Sequence, residues 1–235
     1  MKRSPRTVTF FTNCILVLII AVVSTICFLP RAERVSGIED EVYYKGYSTD
    51  GVSLMFNVYW GTKETRGILD VLDEYGAKAT FFIGGSWADD NVDCLKEIAS
   101  RGHELGSHGY FHRDHDKLDY AGNLQEIKTS VDFIQMATGV TVLLFAPPSG
   151  AYNDNTLSAA RSLGLKTIMW SKDTIDWRDK TVSDCFTRAT KHVKGGDLIL
   201  MHPMAHTLEA LPSILKFYRE AGLKTVTVSE NVTKA

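Results

Sequence analysis

Gly102-His103-Glu104-Leu105-Gly106-Ser107-His108-Gly109-Tyr110-Phe111-His112 is the stretch on which the fold turns. A glycine stops the amphipathic run before it and a short apolar strand signal follows. Two histidines then stand four residues apart directly behind that strand. Such a pair can share one face of a helical turn and reach a common metal ion. The alternative is a pair of surface-loop histidines, because the spacing is easily met. The surroundings of the stretch decide between the two.

Outward from this stretch, short apolar runs alternate with amphipathic segments. The apolar runs are Val52–Val58, Ala79–Ile83, His103–Gly106, Val142–Phe145, Lys166–Trp170, Asp197–Met201 and Lys224–Val228. Helical patterns lie between them: Lys63–Tyr75, Asp90–Arg101, Asn123–Thr138, a segment capped by Asn153 or Asp154 and running to Leu163, Ser183–Lys194, and Thr207–Ala221. Most end at a glycine, and polar N-caps with a glycine just past the end are the expected helix boundaries. Strand–helix alternation at this spacing implies parallel strands covered by helices. The reading is an α/β fold, a small, distorted (β/α) barrel of about seven parallel strands; an open doubly wound sheet is the alternative. No Gly-x-Gly-x-x-Gly follows the first strand, which removes the support for a dinucleotide fold. In a barrel the active site sits at the C-terminal strand ends.

The chain has 235 residues and a formal net charge of −2, without a long basic stripe, so it is not read as a nucleic-acid binder. Its N-terminus is distinct. Lys2, Arg3 and Arg6 form a basic tip, residues 1–7, before an uncharged apolar run over 8–29 that is long enough to span a bilayer. The charge order favours a cytoplasmic N-terminus and an exported remainder. The expectation is therefore an uncleaved transmembrane signal anchor, a linker over 30–46 and the barrel domain over 47–235, at the cell membrane. Val35-Ser36-Gly37 is a weak cleavage site, and cleavage there would give a secreted protein. The exported part carries Cys94 and Cys185, read as buried small hydrophobes.

At the strand ends stand Asn57 after the first strand, His108 and His112 after the third, and Pro147-Pro148-Ser149-Gly150 after the fourth. Asp173, Asp176 and Trp177 follow the fifth, and His202 the sixth. Titratable groups thus appear directly behind three different strands, which marks a site at that face. Trp60, Tyr110, Trp170 and Trp177 could line a groove there, with Pro147 and Ser149 beside them. Each aromatic taken alone is better explained by core or rim packing.

Four pieces, Ala79–Gly84, Gly102–His112, Asp173–Trp177 and Gly196–His202, stand in one order on the expected strands. With them, the domain resembles a polysaccharide deacetylase (carbohydrate esterase family 4, the NodB-homology domain) from about Val52 to Val228. The resemblance implies metal-dependent hydrolysis of the acetyl group from N-acetylated sugars of cell-wall or chitin-like glycan. In that chemistry a metal-bound water attacks the acetamide carbonyl. It implies that His108 and His112 are two of three protein ligands to a divalent metal, zinc being the one expected. It also implies that His202 protonates the leaving amine, oriented by Asp176. A carboxylate on one ring nitrogen fixes the tautomer and raises basicity. The implied partner is an amino-sugar polysaccharide, peptidoglycan or chitin-like, with the membrane engaged through the N-terminal helix.

The pattern breaks at the first strand. Where the family has Thr-Phe-Asp-Asp-Gly, this chain reads Met55-Phe56-Asn57-Val58-Tyr59. Asn57 stands at the position of the family's base and cannot accept a proton there. Val58 stands at that of the third metal ligand and has no donor atom. Ala146 replaces the arginine that steadies the base, and an arginine beside a neutral Asn57 would be an unpaired buried charge. Two histidines seldom hold zinc alone. Glu104, Asp114, His115, Asp116 or Asp173 could complete the set. The chain is accordingly read as a deacetylase running an altered site, or as an inactive relative that binds glycan or a partner protein through the same groove. A metal hydrolase acting on another acyl or phosphoryl bond is a third, weaker reading, which the fold alone does not separate.

Overall fold

The structure, a computed structural model, describes residues 42–234. The apolar run 8–29, the basic tip before it and most of the linker lie outside the described residues. The chain divides into a unit Met1–Glu39 and a compact unit Asp40–Ala235, and every described residue belongs to the second. Among the described residues no helix is long and apolar enough to cross a membrane.

Among the described residues, nine strands form one sheet: β1 Val42–Tyr43, β2 Gly51–Val58, β3 Thr80–Ile83, β4 Glu104–Ser107, β5 Leu144–Phe145, β6 Lys166–Ile168, β7 Lys172–Asp173, β8 Leu198–Met201 and β9 Lys224–Thr225. Their order is β1-β6-β5-β4-β3-β2-β8-β7, with β9 against β2, and every ladder is parallel. The helices are α1 Lys63–Glu74, α2 Gly85–Asp90, α3 Val92–Ser100, α4 Tyr120–Thr138, α5 Asp154–Ser162, α6 Val182–Thr190, α7 Ala205–Glu220 and α8 Val228–Val232.

The sheet must curl, and covalent geometry says why. β6 and β7 stand six strand spacings apart in the ladder, roughly 29 Å if it lay flat. Only residues 169–171 separate them in the chain, which spans at most about 14 Å from Ile168 to Lys172. One slanted run therefore pairs with β5 at its start and with β8 at its end, drawing the two sides together as a half-barrel. Reading Lys166–Trp170 as one strand misses this switch of partner, because no side-chain pattern marks it. Two other differences lie at the ends. Val42–Tyr43, inside the stretch read as linker, adds an outer strand to β6, and Lys45 bridges Asp197. The last strand stops at Thr225, because Thr227 and Glu230 form a capping box that starts α8.

β2 is buried along its whole length, and its alternation sorts the core into two layers. Val52, Leu54, Phe56 and Val58 join the layer between sheet and helices, where Phe56 stacks on Phe81 at 5.1 Å. Met55 joins a smaller cluster with Phe82, Leu144, Ile168, Leu198, Val228 and Val232. α8 belongs to that inner cluster and contacts the starts of the strands: Thr80 Oγ1 accepts the Val228 N–H, and Asn231 Nδ2 donates to Ser53 Oγ. The other end, where the strands finish, is left for a site. Cys94 and Cys185 are both buried and free.

Candidate active site

A cavity of about 410 Å³ opens at the C-terminal strand ends. Asn57, Trp60, His108, His112, Ser149, Trp170, Asp173, Trp177, Leu200 and His202 line it. Of the residues singled out in the sequence, Tyr110 and Pro147 are not in this wall. Tyr110 rests its ring on Gly85, where an added Cβ would meet Tyr110 Cδ2 at 2.2 Å. Pro147 is buried ahead of the turn that presents Ser149.

The two histidines of the opening stretch meet, but not through a helical turn. Their rings lie 5.1 Å apart at 71°. Gly109 and His112 both take positive φ, 71° and 54°, so residues 108–112 form a bent loop. Its donors and acceptors are used elsewhere. Glu126 Oε2 accepts the Tyr110 and Phe111 N–H groups, and the carbonyls of Gly109 and Tyr110 accept from Gly85 and Ser86 at the start of α2. His108 gives Nδ1–H to Ala146 O at 2.8 Å, which leaves Nε2 as an acceptor. Burial, reinforced by the nearby His112, pushes its pKa down to about 3. Burial also lowers that of His112, whose ring packs on Tyr59 at 4.9 Å. Burial thus favours the neutral form of both imidazoles, the form that metal ligation requires.

The opposite wall is a closed hydrogen-bond network. His202 Nδ1 meets Asp176 Oδ1 at 2.7 Å, while Asp176 Oδ2 accepts the His202 N–H at 2.8 Å and Thr207 Oγ1–H at 2.7 Å. Burial works to raise the Asp176 carboxyl, but these donors outweigh it and hold the pKa below the usual carboxylate value. Trp60 covers His202, ring on ring at 5.8 Å and 5°. The loop that brings Asp176 here is strained: Ile175 has φ 52°, an outlier for a β-branched residue. Asp173 Oδ1 accepts its N–H at 2.7 Å and steadies it. Ser149, with φ 57°, is strained on a third loop, and such strain gathers at functional sites. Sequence reading overlooked Thr207, which looks like an ordinary helix residue, and Tyr59 and Leu200, which carry no chemical signal.

The residues present do not fit a three-ligand metal centre. Among the described residues, no three His, Cys, Asp or Glu side chains are placed to share an ion. Val58 packs into the layer between sheet and helices, away from the cavity. Glu104 sits at the other end of β4, bound to Thr80 Oγ1 and the Ser229 N–H. Asp114 is paired with Lys117 at 2.5 Å and Asp116 is exposed. His115 is buried against Phe145 with Nδ1 on Asn123 Oδ1. Asp173 alone of these reaches the cavity wall, where burial raises its pKa. The arrangement can hold a polar ligand between aromatic faces and can move a proton at His202. It lacks a carboxylate on the β2 side.

Comparison with known proteins agrees with this geometry. Residues 45–168 match the family model described as polysaccharide deacetylase, a range that ends before Asp176 and His202. The chain is 34% identical over 198 residues to the uncharacterized protein YlxY of Bacillus subtilis, covering 84% of this chain and 62% of that one. It is 33% identical over 177 residues to a peptidoglycan-N-acetylglucosamine deacetylase of Bacillus cereus, covering 71% and 80%. Among solved structures, the CE4 family pseudoenzyme BA3943 of Bacillus anthracis superposes with a TM-score of 0.79 at 32% identity, covering 82% of this chain and 69% of that one. With a curled parallel sheet, two histidines behind β4, and His202 behind β8 paired with Asp176 from the loop after β7, this chain belongs to the polysaccharide deacetylase family.

Proposed function

We propose that this protein is a membrane-anchored family member that binds N-acetylated amino-sugar glycan of the cell wall in the strand-end cavity without removing the acetyl group. One observation carries the reading: the position of the third metal ligand is Val58, wholly buried with its side chain in the helix-facing layer. The wall beside it offers Asn57 in place of a base. Trp60 and Trp177, both at least two-fifths exposed, flank the opening as flat apolar faces suited to sugar rings. The B. cereus relative is a peptidoglycan deacetylase, which supports the glycan class. The B. anthracis relative is a pseudoenzyme, which supports binding without turnover. Anchoring rests on the basic tip and the apolar run 8–29, with the barrel outside the membrane.

Metal-dependent N-deacetylation by an altered site is the second reading. The complete His202–Asp176–Thr207 network favours it, since a protonated His202 is what the leaving amine would need. The full-length protein in detergent separates the two. It is incubated with N-acetylated chito-oligosaccharides and peptidoglycan fragments, with and without zinc, and both binding and acetate release are measured. Saturable binding that a chelator leaves unchanged, with no release, is expected. Zinc-dependent release abolished in His202→Ala would overturn the binding reading in favour of catalysis.

A further inference from the structure

The large apolar side chains left in water divide by kind and by place. Among the described residues six are aromatic, and the two aliphatic ones, Met136 at 78% exposure and Leu143 at 53%, stand together. α4 ends at Gly139, and Gln135 Oε1 accepts the Val142 N–H at 3.0 Å, which folds the following loop back against the last turn of the helix. Ala137, Thr138 and Val140 continue the surface into a hollow of about 380 Å³ beside Lys96, Ala99 and Ser100 at the end of α3. No charged residue occurs from Phe133 to Asn153, and residues 155–166, which lead to the start of β6, add only Arg161 and Lys166. Neither segment contributes a carboxylate, and Asp132, one turn before Met136, is paired with Lys128. An exposed apolar corner of this kind marks an interaction surface.

Its place names the occupant. The Lys166 N–H donates to Leu143 O at 2.9 Å, and Val42 pairs opposite Thr167, so the corner lies two strand spacings, roughly 10 Å, from the start of β1. Only residues 30–41 separate that start from the apolar run 8–29, a reach of at most about 40 Å. A tether so short gives an effective concentration of roughly millimolar, so a small patch is enough. Resting on the membrane-anchored reading above, we infer that the Met136–Leu143 corner docks on the outer face of the bilayer. Its two aliphatic side chains enter the interfacial layer, with Lys96 and Lys166 beside them for the lipid phosphates. The strands run parallel from this end, so the cavity opens at the other, away from the lipid. The docked domain therefore presents its mouth to glycan strands of the wall rather than to sugars carried on lipid at the membrane surface.

Nitroxide labels on the full-length protein in vesicles of phosphatidylethanolamine and phosphatidylglycerol test this. One label enters by Thr141→Cys at the corner and another by Phe111→Cys at the mouth, both exposed positions. Cys14→Ser and Cys27→Ser clear the background, and Cys94 and Cys185 are buried. Lipid contact raises a label's collisions with oxygen and lowers those with an aqueous nickel chelate, whereas cover by protein lowers both. The corner label is expected to meet nickel about tenfold less than the mouth label, and oxygen more. Met136→Asp with Leu143→Asp, on side chains that lie in water, should return it to the level of the mouth label, with melting temperatures confirming the fold. Low collision rates with both reagents overturn the docking in favour of cover by residues 30–41 or by a second copy. Equal nickel access at the two labels, or shielding that survives the two aspartates, also overturns it, while resistance of the protein to carbonate extraction leaves the anchored reading standing. Release by carbonate overturns that reading and the docking together.

Discussion

The two walls of the cavity differ in how completely their polar atoms are satisfied. On the β8 side, each Asp176 oxygen has a partner and His202 is held from below by Asp176 and from the side by Trp60. On the β2 side, Asn57 keeps an orphaned oxygen and Val58 has left the cavity for the core. The difference teaches that a carboxylate can vanish from a strand end without cost to the sheet. The strand is held by ladder hydrogen bonds and by its alternating buried faces, neither of which uses the missing group. The His202 wall has no such freedom: its buried carboxylate needs every donor it has, so the network stands or falls together.

The largest effect that breaks this contrast is Val58→Asp. A carboxylate placed in the helix-facing layer is an uncompensated buried charge, expected to lower stability by roughly 3–5 kcal/mol in urea unfolding. If the strand end can turn that carboxylate toward His108 and His112, millimolar zinc will recover the loss by mass action. Recovery would show that β2 still remembers a ligand position, and its absence would show that the backbone has closed it. Next in size is Asp176→Ala, which strands three donors and should cost about 3 kcal/mol. A loss below about 1 kcal/mol would erase the proposed asymmetry between the walls.

Acid probes the two ends of β4, each of which carries a neutral histidine. Burial drops the His103 pKa to about 4 from the ordinary histidine value of 6.5, with both ring nitrogens unpaired. A folded pKa below the unfolded one contributes stability that is complete above about pH 6.5 and is lost as pH falls toward 4. Melting temperature should therefore decline through that window. His103→Leu should reduce the stability lost across that window by up to about 3 kcal/mol; an undiminished loss would place the acid sensitivity elsewhere. The smallest expected effect is Asn57→Ala. It removes a group already unpaired and should shift stability by less than about 1 kcal/mol, in contrast to Asp176→Ala across the cavity.

Much of the fold was legible along the chain. Asn153 caps α5, Gly139 ends α4 in the left-handed conformation, and the seven strand signals align with β2, β3, β4, β5, β6, β8 and the shorter β9. The misreadings cluster where pairing rather than side-chain pattern decides. β1 and β7 are two-residue strands, defined by a neighbour far away in sequence, and α8 begins where a capping box interrupts an apolar run. In the candidate site, the residue types at the strand ends were readable, as was the loss of both carboxylates. The bent route from His108 to His112 was not, because Glu126 and the start of α2 draw the loop out of a helical path.

The amino-acid sequence by itself determined the strand–helix alternation, the face on which chemistry gathers, and which donor atoms exist there. Those follow from local periodicity and from residue identity. Only the tertiary structure decided which donors share a cavity. It sent Val58 to the outer layer and Glu104 to the far end of its strand, closed the Asp176 network with Thr207, and left Asn57 Oδ1 without a donor. The reason is physical: side-chain direction and partner supply depend on how the sheet curls and what packs against it, and neither is encoded at one position.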